Sequence, residues 1–97
     1  MSAVEPALPE NGYDLLQNHP NPFKESTTFD YTISRPEFVT LKIYAATGKL
    51  ITTIVNRRQA PGNYSVHWNA RNIKPGIYSF CLTAGNYHIT KQCVVLD

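Results

Sequence analysis

The sequence predicts an all-β domain, an immunoglobulin-like antiparallel β-sandwich of about seven strands. Three observations carry this. Short runs alternate apolar and polar residues with a period of two. Turn signals rich in Pro, Gly and Asn separate those runs at near-regular spacing. Aromatics are plentiful, with six Tyr, four Phe and one Trp, which suits strands. No helical period of useful length is present. Periodicity does not distinguish two packed sheets from one closed barrel; the sandwich is the favoured arrangement.

The chain has 97 residues, enough for one small domain. Residues 1–12, MSAVEPALPENG, hold Pro6, Pro9 and an Asn11-Gly12 turn signal, and read as a linker or tail. The folded domain is expected over 13–97. Residues 13–17 form a short candidate strand. In 26–34, Phe29, Tyr31 and Ile33 share one face, with Thr28, Asp30 and Thr32 opposite. Arg35-Pro36 interrupts. In 38–44, Val39, Leu41 and Ile43 face one way. After a turn at 46–49, residues 50–56 are rich in β-branched side chains. Ala60-Pro61-Gly62 precedes 63–69, where Tyr64, Val66 and Trp68 align. Lys74-Pro75-Gly76 precedes 77–83, where Tyr78, Phe80 and Leu82 align. Gly85-Asn86 is a two-residue hairpin signal, and 87–96 is the last strand.

That hairpin places the two cysteines. With Gly85-Asn86 as the turn, Ala84 pairs with Tyr87, Cys81 lies opposite Thr90 and Cys93 opposite Tyr78. The thiols then point to opposite faces and cannot bridge. Cys93 is expected on the core face with Ile89, and both thiols are expected to be free.

Chemistry-bearing residues are sparse. The net charge of +2 is too small to argue for nucleic acid or an anionic membrane. Arg57-Arg58, read as part of a turn, is a solvated doublet. No apolar run approaches the roughly 20 residues that span a bilayer, and no secretory leader is expected within 1–12. His19, His67 and His88 lack metal-ligand spacing. The scattered carboxylates give no acid/base pair, and no nucleophile elbow or phosphate loop occurs. An enzyme is not expected, and neither cofactor nor metal is. Trp68 continues an apolar strand face, so a core role is favoured over a sugar-stacking platform.

Two stretches remain. The terminal strand TKQCVVLD has nothing after it to cover it, so it reads as an edge with unpaired amides, suited to recognition by strand addition. The stretch NHPNPF carries two prolines that hold His19 and Asn21 extended and remove two donors. It reads as a rigid crossing between the first two strands, with Phe23 plugging the end of the sandwich.

Taken in order, a set of motifs has a family likeness. They are Leu8-Pro9, Leu16-Gln17-Asn18-His19-Pro20-Asn21-Pro22-Phe23, Ser26-Thr27-Thr28, Val39-x-Leu41-x-Ile43-Tyr44 and Thr47-Gly48-Lys49-Leu50-Ile51. Pro61-Gly62-x-Tyr64, Trp68, Gly76-Ile77-Tyr78 and Thr90-Lys91 follow. The chain resembles the type A C-terminal sorting domain of cargo exported by the type IX, or Por, secretion system. The resemblance covers about residues 8–97 and rests on Pro20, Asn21, Pro22, Phe23, Gly48, Gly62, Trp68, Gly76 and Tyr78 as motif positions. His19 stands where the family usually has Tyr. Gln92-Cys93 stands where Lys and a larger apolar residue are common.

The resemblance implies a non-catalytic sorting signal fused behind an upstream cargo. The precursor passes through the periplasm to an outer-membrane translocon and ends at the cell surface or secreted. In many relatives a sortase-like surface peptidase then removes the domain. Translocon recognition is expected at Thr90, Lys91, Val94, Val95 and Leu96, and a weak homodimer through the same strand is an accompanying expectation. Two other classes compete: an assembly module like the flagellar hook-cap domain, and a carbohydrate-binding module using Trp68 and exposed tyrosines.

Overall fold

A computed structural model describes residues 12–97. All of the expected tail except Gly12 lies outside the described residues. Seven strands follow in order: β1 (Asp14–Leu15), β2 (Ser26–Ile33), β3 (Glu37–Ala45), β4 (Leu50–Gln59), β5 (Gly62–Asn69), β6 (Gly76–Ala84) and β7 (Tyr87–Val95). They form two antiparallel sheets, β1-β2-β5 and β4-β3-β6-β7. The expected β-sandwich is present, and the barrel alternative is not.

The period-two pattern sets the burial. Thr27, Phe29, Tyr31 and Ile33 of β2 are buried, with half-buried residues between them. Val39, Leu41 and Ile43 of β3 face Phe80 and Leu82 of the neighbouring β6 on the same inner surface. Phe29 and Phe80 meet across the two layers with ring centroids 4.6 Å apart. Burying such a side chain stabilises the fold by about 1.5–3 kcal/mol. The inner faces therefore hold the sandwich together, and the loops are free to carry other tasks.

Two elements differ from the sequence reading. The first strand shrinks from 13–17 to two residues, Asp14–Leu15. The fourth runs on to Gln59, so Arg57 and Arg58 lie in a strand rather than a turn. Register shifts between Leu41 and Lys42 and between Ile43 and Tyr44 break the alternation of β4 against β3. The added residues pair regularly with β3, but Asn56, Arg57 and Arg58 are polar and all exposed, so no apolar alternation marks this end of the strand in the sequence. β4 is an edge strand, and its two arginines are charges of the kind that discourage sheet-to-sheet association.

The last hairpin has the register that Gly85-Asn86 predicts. Ala84 pairs with Tyr87, Cys81 with Thr90 and Tyr78 with Cys93. Both thiols are free. Cys93 is fully buried on the core face, where it shares a side of β7 with Ile89; Lys91 stands between them. Burial pushes the Cys93 thiol up to about 11, so little thiolate forms near neutral pH. Cys81 is half-buried on the outer face. A small thiol reagent at pH 8 should therefore label Cys81 in the native protein and Cys93 only on unfolding. Intact-mass analysis of labelled protein checks this; equal labelling rates would contradict the register.

Candidate functional site

The stretch 17–23 does more than link β1 to β2. It first follows β2: Leu16 donates its amide to Asp30 O at 3.0 Å, and His19 exchanges amide and carbonyl bonds with Thr28 at 3.0 and 2.9 Å. It then leaves that sheet. Phe23 forms a parallel bridge with Val95 of β7, in the other sheet. The Phe23 amide donates to Val94 O at 3.1 Å, and the Leu96 amide donates to Phe23 O at 2.7 Å. One short segment thus ties the two layers at one end of the sandwich.

The residue types explain why this segment can do so. Pro20 and Pro22 both follow cis peptide bonds, and both sit where no amide donor is needed. The carbonyl of Pro20 accepts from Asn18 Nδ2 at 3.1 Å and from Thr27 Oγ1 at 2.8 Å. Asn18 is buried, and its amide also donates to Thr27 Oγ1 at 3.0 Å while its Oδ1 accepts from Gln17 Nε2 at 2.7 Å. A fully partnered buried amide of this kind fixes a loop, because each unmade bond there costs about 1–3 kcal/mol. The Phe23 ring is buried edge-on against Trp68, centroids 5.9 Å apart.

Trp68 itself is buried, 7% exposed, between Phe23 and Phe29. It offers no open ring face to a sugar, which removes the carbohydrate platform. Gly62 and Gly76 begin two matching strand entrances. Tyr64 OH donates back to Ala60 O at 2.5 Å, and Tyr78 OH to Lys74 O at 2.7 Å. Each glycine has φ near +155°, at 156° and 153°, and its tyrosine ring lies alongside, 3.8 and 3.9 Å from where a Cβ would stand. The sequence signal for this is the repeat Pro-Gly-x-Tyr-Ser at 61–65 and 75–79, which period-two alternation alone does not bring out. Gly48 sits in the exposed turn between β3 and β4, where its amide donates to Ala45 O at 2.9 Å.

The terminal strand is an edge, as expected: β7 is last in its sheet. The hairpin register decides which of its backbone groups point outward. In a two-residue hairpin the closing pair is hydrogen-bonded, and bonded pairs then alternate. Tyr87, Ile89, Lys91, Cys93 and Val95 therefore bond to β6, and His88, Thr90, Gln92 and Val94 aim their backbone outward. Residues 17–23 occupy the far half of that edge. Gln17 Nε2 donates to Gln92 O at 2.7 Å, the Val94 amide donates to Asn21 Oδ1 at 3.0 Å, and Phe23 takes Val94 O. The strand is therefore not uncovered as expected from the sequence: half of it is covered by the 17–23 crossing itself.

The recognition residues expected from the sequence consequently separate. Thr90 is exposed and Lys91 half-buried on the open half of the edge. Val94 and Leu96 are engaged by the 17–23 strap, and Val95 is a buried core residue. Polar side chains on the outer face of β2 and β5 form a separate group. Asp30 accepts from Ser65 Oγ and lies 2.7 Å from His19 Nε2. The serine bonds the carboxylate rather than the imidazole, so this is not a nucleophile–base relay. Among the described residues no group of three or more His, Cys, Asp or Glu is placed to hold a metal ion.

Residues 18–96 match the family model described as "Secretion system C-terminal sorting domain". The match begins at Asn18, the first buried residue of the strap, and ends at Leu96, the last residue bonded to it. The comparison with curated proteins found no match.

Two outcomes test this site. Phe23→Ala should destabilise the domain by about 3–5 kcal/mol, in the range of buried aromatic truncations, read by denaturant unfolding; a loss under 1 kcal/mol would contradict the layer-tying role. The Asp30 carboxyl is held below its ordinary value, chiefly by the Ser65 hydroxyl and next by His19. Its stabilisation is therefore complete above about pH 4, the value of an unfolded carboxyl, and fades as pH falls through the lower folded value. The melting temperature of Asp30→Asn should vary less with pH than wild type across that acid range.

Proposed function

From the premise that the chain belongs to the family of secretion-system C-terminal sorting domains, we propose that it is a type A sorting domain whose terminal strand is read by the outer-membrane translocon. The family role is that of a C-terminal sorting signal for type IX secretion, and such a domain is not catalytic. Export to the cell surface or the medium and a cargo fused upstream follow from that role. The finer reading is ours. The precursor crosses the periplasm before the translocon takes it, a sortase-like surface peptidase is the second partner, and the sorting domain spans 13–97.

The observation that carries the translocon reading is the open half of the β7 edge. Thr90 and Lys91 present it, and Val94, Val95 and Leu96 hold it in place through the strap and the core. Pro20, Asn21, Pro22, Phe23, Trp68 and the glycines at 48, 62 and 76 act with Tyr78 to build the scaffold. The edge also offers a second copy of the chain a place to pair. Such a homodimer is weak, because few outward-facing residues remain free. The strap and the terminal strand together favour this reading over a hook-cap assembly module, since the family match runs through both.

A reporter carrying this domain at its C-terminus should be exported by cells with a type IX system. Deleting residues 90–97 should abolish export, with the reporter retained in the periplasm. Cell fractionation and immunoblotting check this. Normal export of the truncated fusion would remove the terminal strand from the signal.

A further inference from the structure

We infer that the docking register lies in residues 88–92 alone, and that it takes a short extended segment bearing one apolar and one acidic residue. This rests on the translocon reading above and names the chemistry of the partner at that site. Two boundaries define the register. At one end the Gly85-Asn86 turn closes the hairpin. At the other, the strap consumes Gln92 O and both outward groups of Val94. Between them, the outward backbone groups of His88 and Thr90 and the Gln92 amide have no partner among the described residues. The strap cannot easily be pushed aside to lengthen the register, because Asn18 and Phe23 are buried.

The side chains flanking this edge set the partner's chemistry. Successive residues of an added strand point to opposite sides. On the outer side they would meet exposed His88, Thr90 and Gln92. On the core side they would meet Tyr87, Ile89 and Lys91, all half-buried. The facing sheet ends there in the two-residue β1, and the Tyr13 ring just before it already stacks on Tyr87, centroids 4.9 Å apart, which leaves Ile89 as the half-buried apolar residue beside the open edge. An apolar partner side chain beside Ile89 would continue that cover along the strand. Lys91 shares this flank and makes no ion pair among the described residues. An inward-pointing charge on an edge strand blocks indiscriminate pairing. A carboxylate on the partner converts that block into selection, because only a complementary segment neutralises the ammonium.

Thr90→Pro tests the edge directly. The Thr90 amide points outward, so a proline there removes no bond to β6 and blocks an added strand. On the exported reporter fusion, T90P should lose export while the isolated domain keeps its melting temperature. Lys91→Glu should also lose export and Lys91→Arg should keep it. A wild-type fusion that is not exported defeats the sorting function itself. A wild-type fusion that is exported together with a folded, exported T90P defeats this inference alone. Export of K91E at the wild-type level overturns the acidic partner. The Lys91 pair needs no proline, so it decides the question even where T90P fails to fold. Sedimentation of the domain completes the test: a tight dimer at micromolar concentration that T90P abolishes would assign the edge to a second copy and overturn the proposal.

Discussion

The parallel bridge between Phe23 and Val95 is the constraint on which the recognition end of the molecule depends. Two stacked sheets share an apolar interior, and that interior alone would let them shift against each other at the open ends. Here a backbone segment belonging to the three-stranded sheet crosses over and takes hydrogen bonds from the last strand of the four-stranded one. The Phe23 ring then plugs against Trp68 beneath the crossing. Backbone bonds fix register and aromatic burial fixes depth. Neither would suffice alone, since an isolated bridge is weak and a lone ring has no register. The prolines serve the same end by removing donors that the crossing leaves without acceptors.

Much of the fold was legible because period-two burial, hairpin chemistry and turn residues all pointed one way. The Cys81–Thr90 and Tyr78–Cys93 pairings followed from a single dipeptide, because a two-residue turn fixes every pair below it. The burial of Trp68 followed from its position on an apolar face. Two failures have definite causes. The far end of β4 is hidden because Asn56, Arg57 and Arg58 are consecutive exposed polar residues that pair through backbone alone and show no apolar alternation. The strap looks like a simple crossing in sequence because Asn21, Gln17 and the Phe23 backbone meet β7 across more than seventy residues of chain, with separations of 73 and 75 for the two side-chain bonds. No local pattern encodes such a contact. The Pro-Gly-x-Tyr-Ser repeat was a local pattern, and a search for internal similarity would have found both tyrosine hooks.

An edge strand used for recognition must stay open to its partner and closed to every other edge, including its own copies. A long bare β7 would satisfy only the first requirement. The strap shortens the open edge from one side, the hairpin limits it from the other, and Lys91 places a charge on the flank that a second apolar strand would have to cover. The opposite edge of the same sheet, β4, carries Arg57 and Arg58 and two register irregularities instead. The two edges are thus managed by different means. β4 is guarded throughout, while β7 is guarded everywhere except a short window. That asymmetry is what a signal needs: the window is the one place where added backbone bonds and a matched charge are both on offer, so specificity arises from what the rest of the edge forbids.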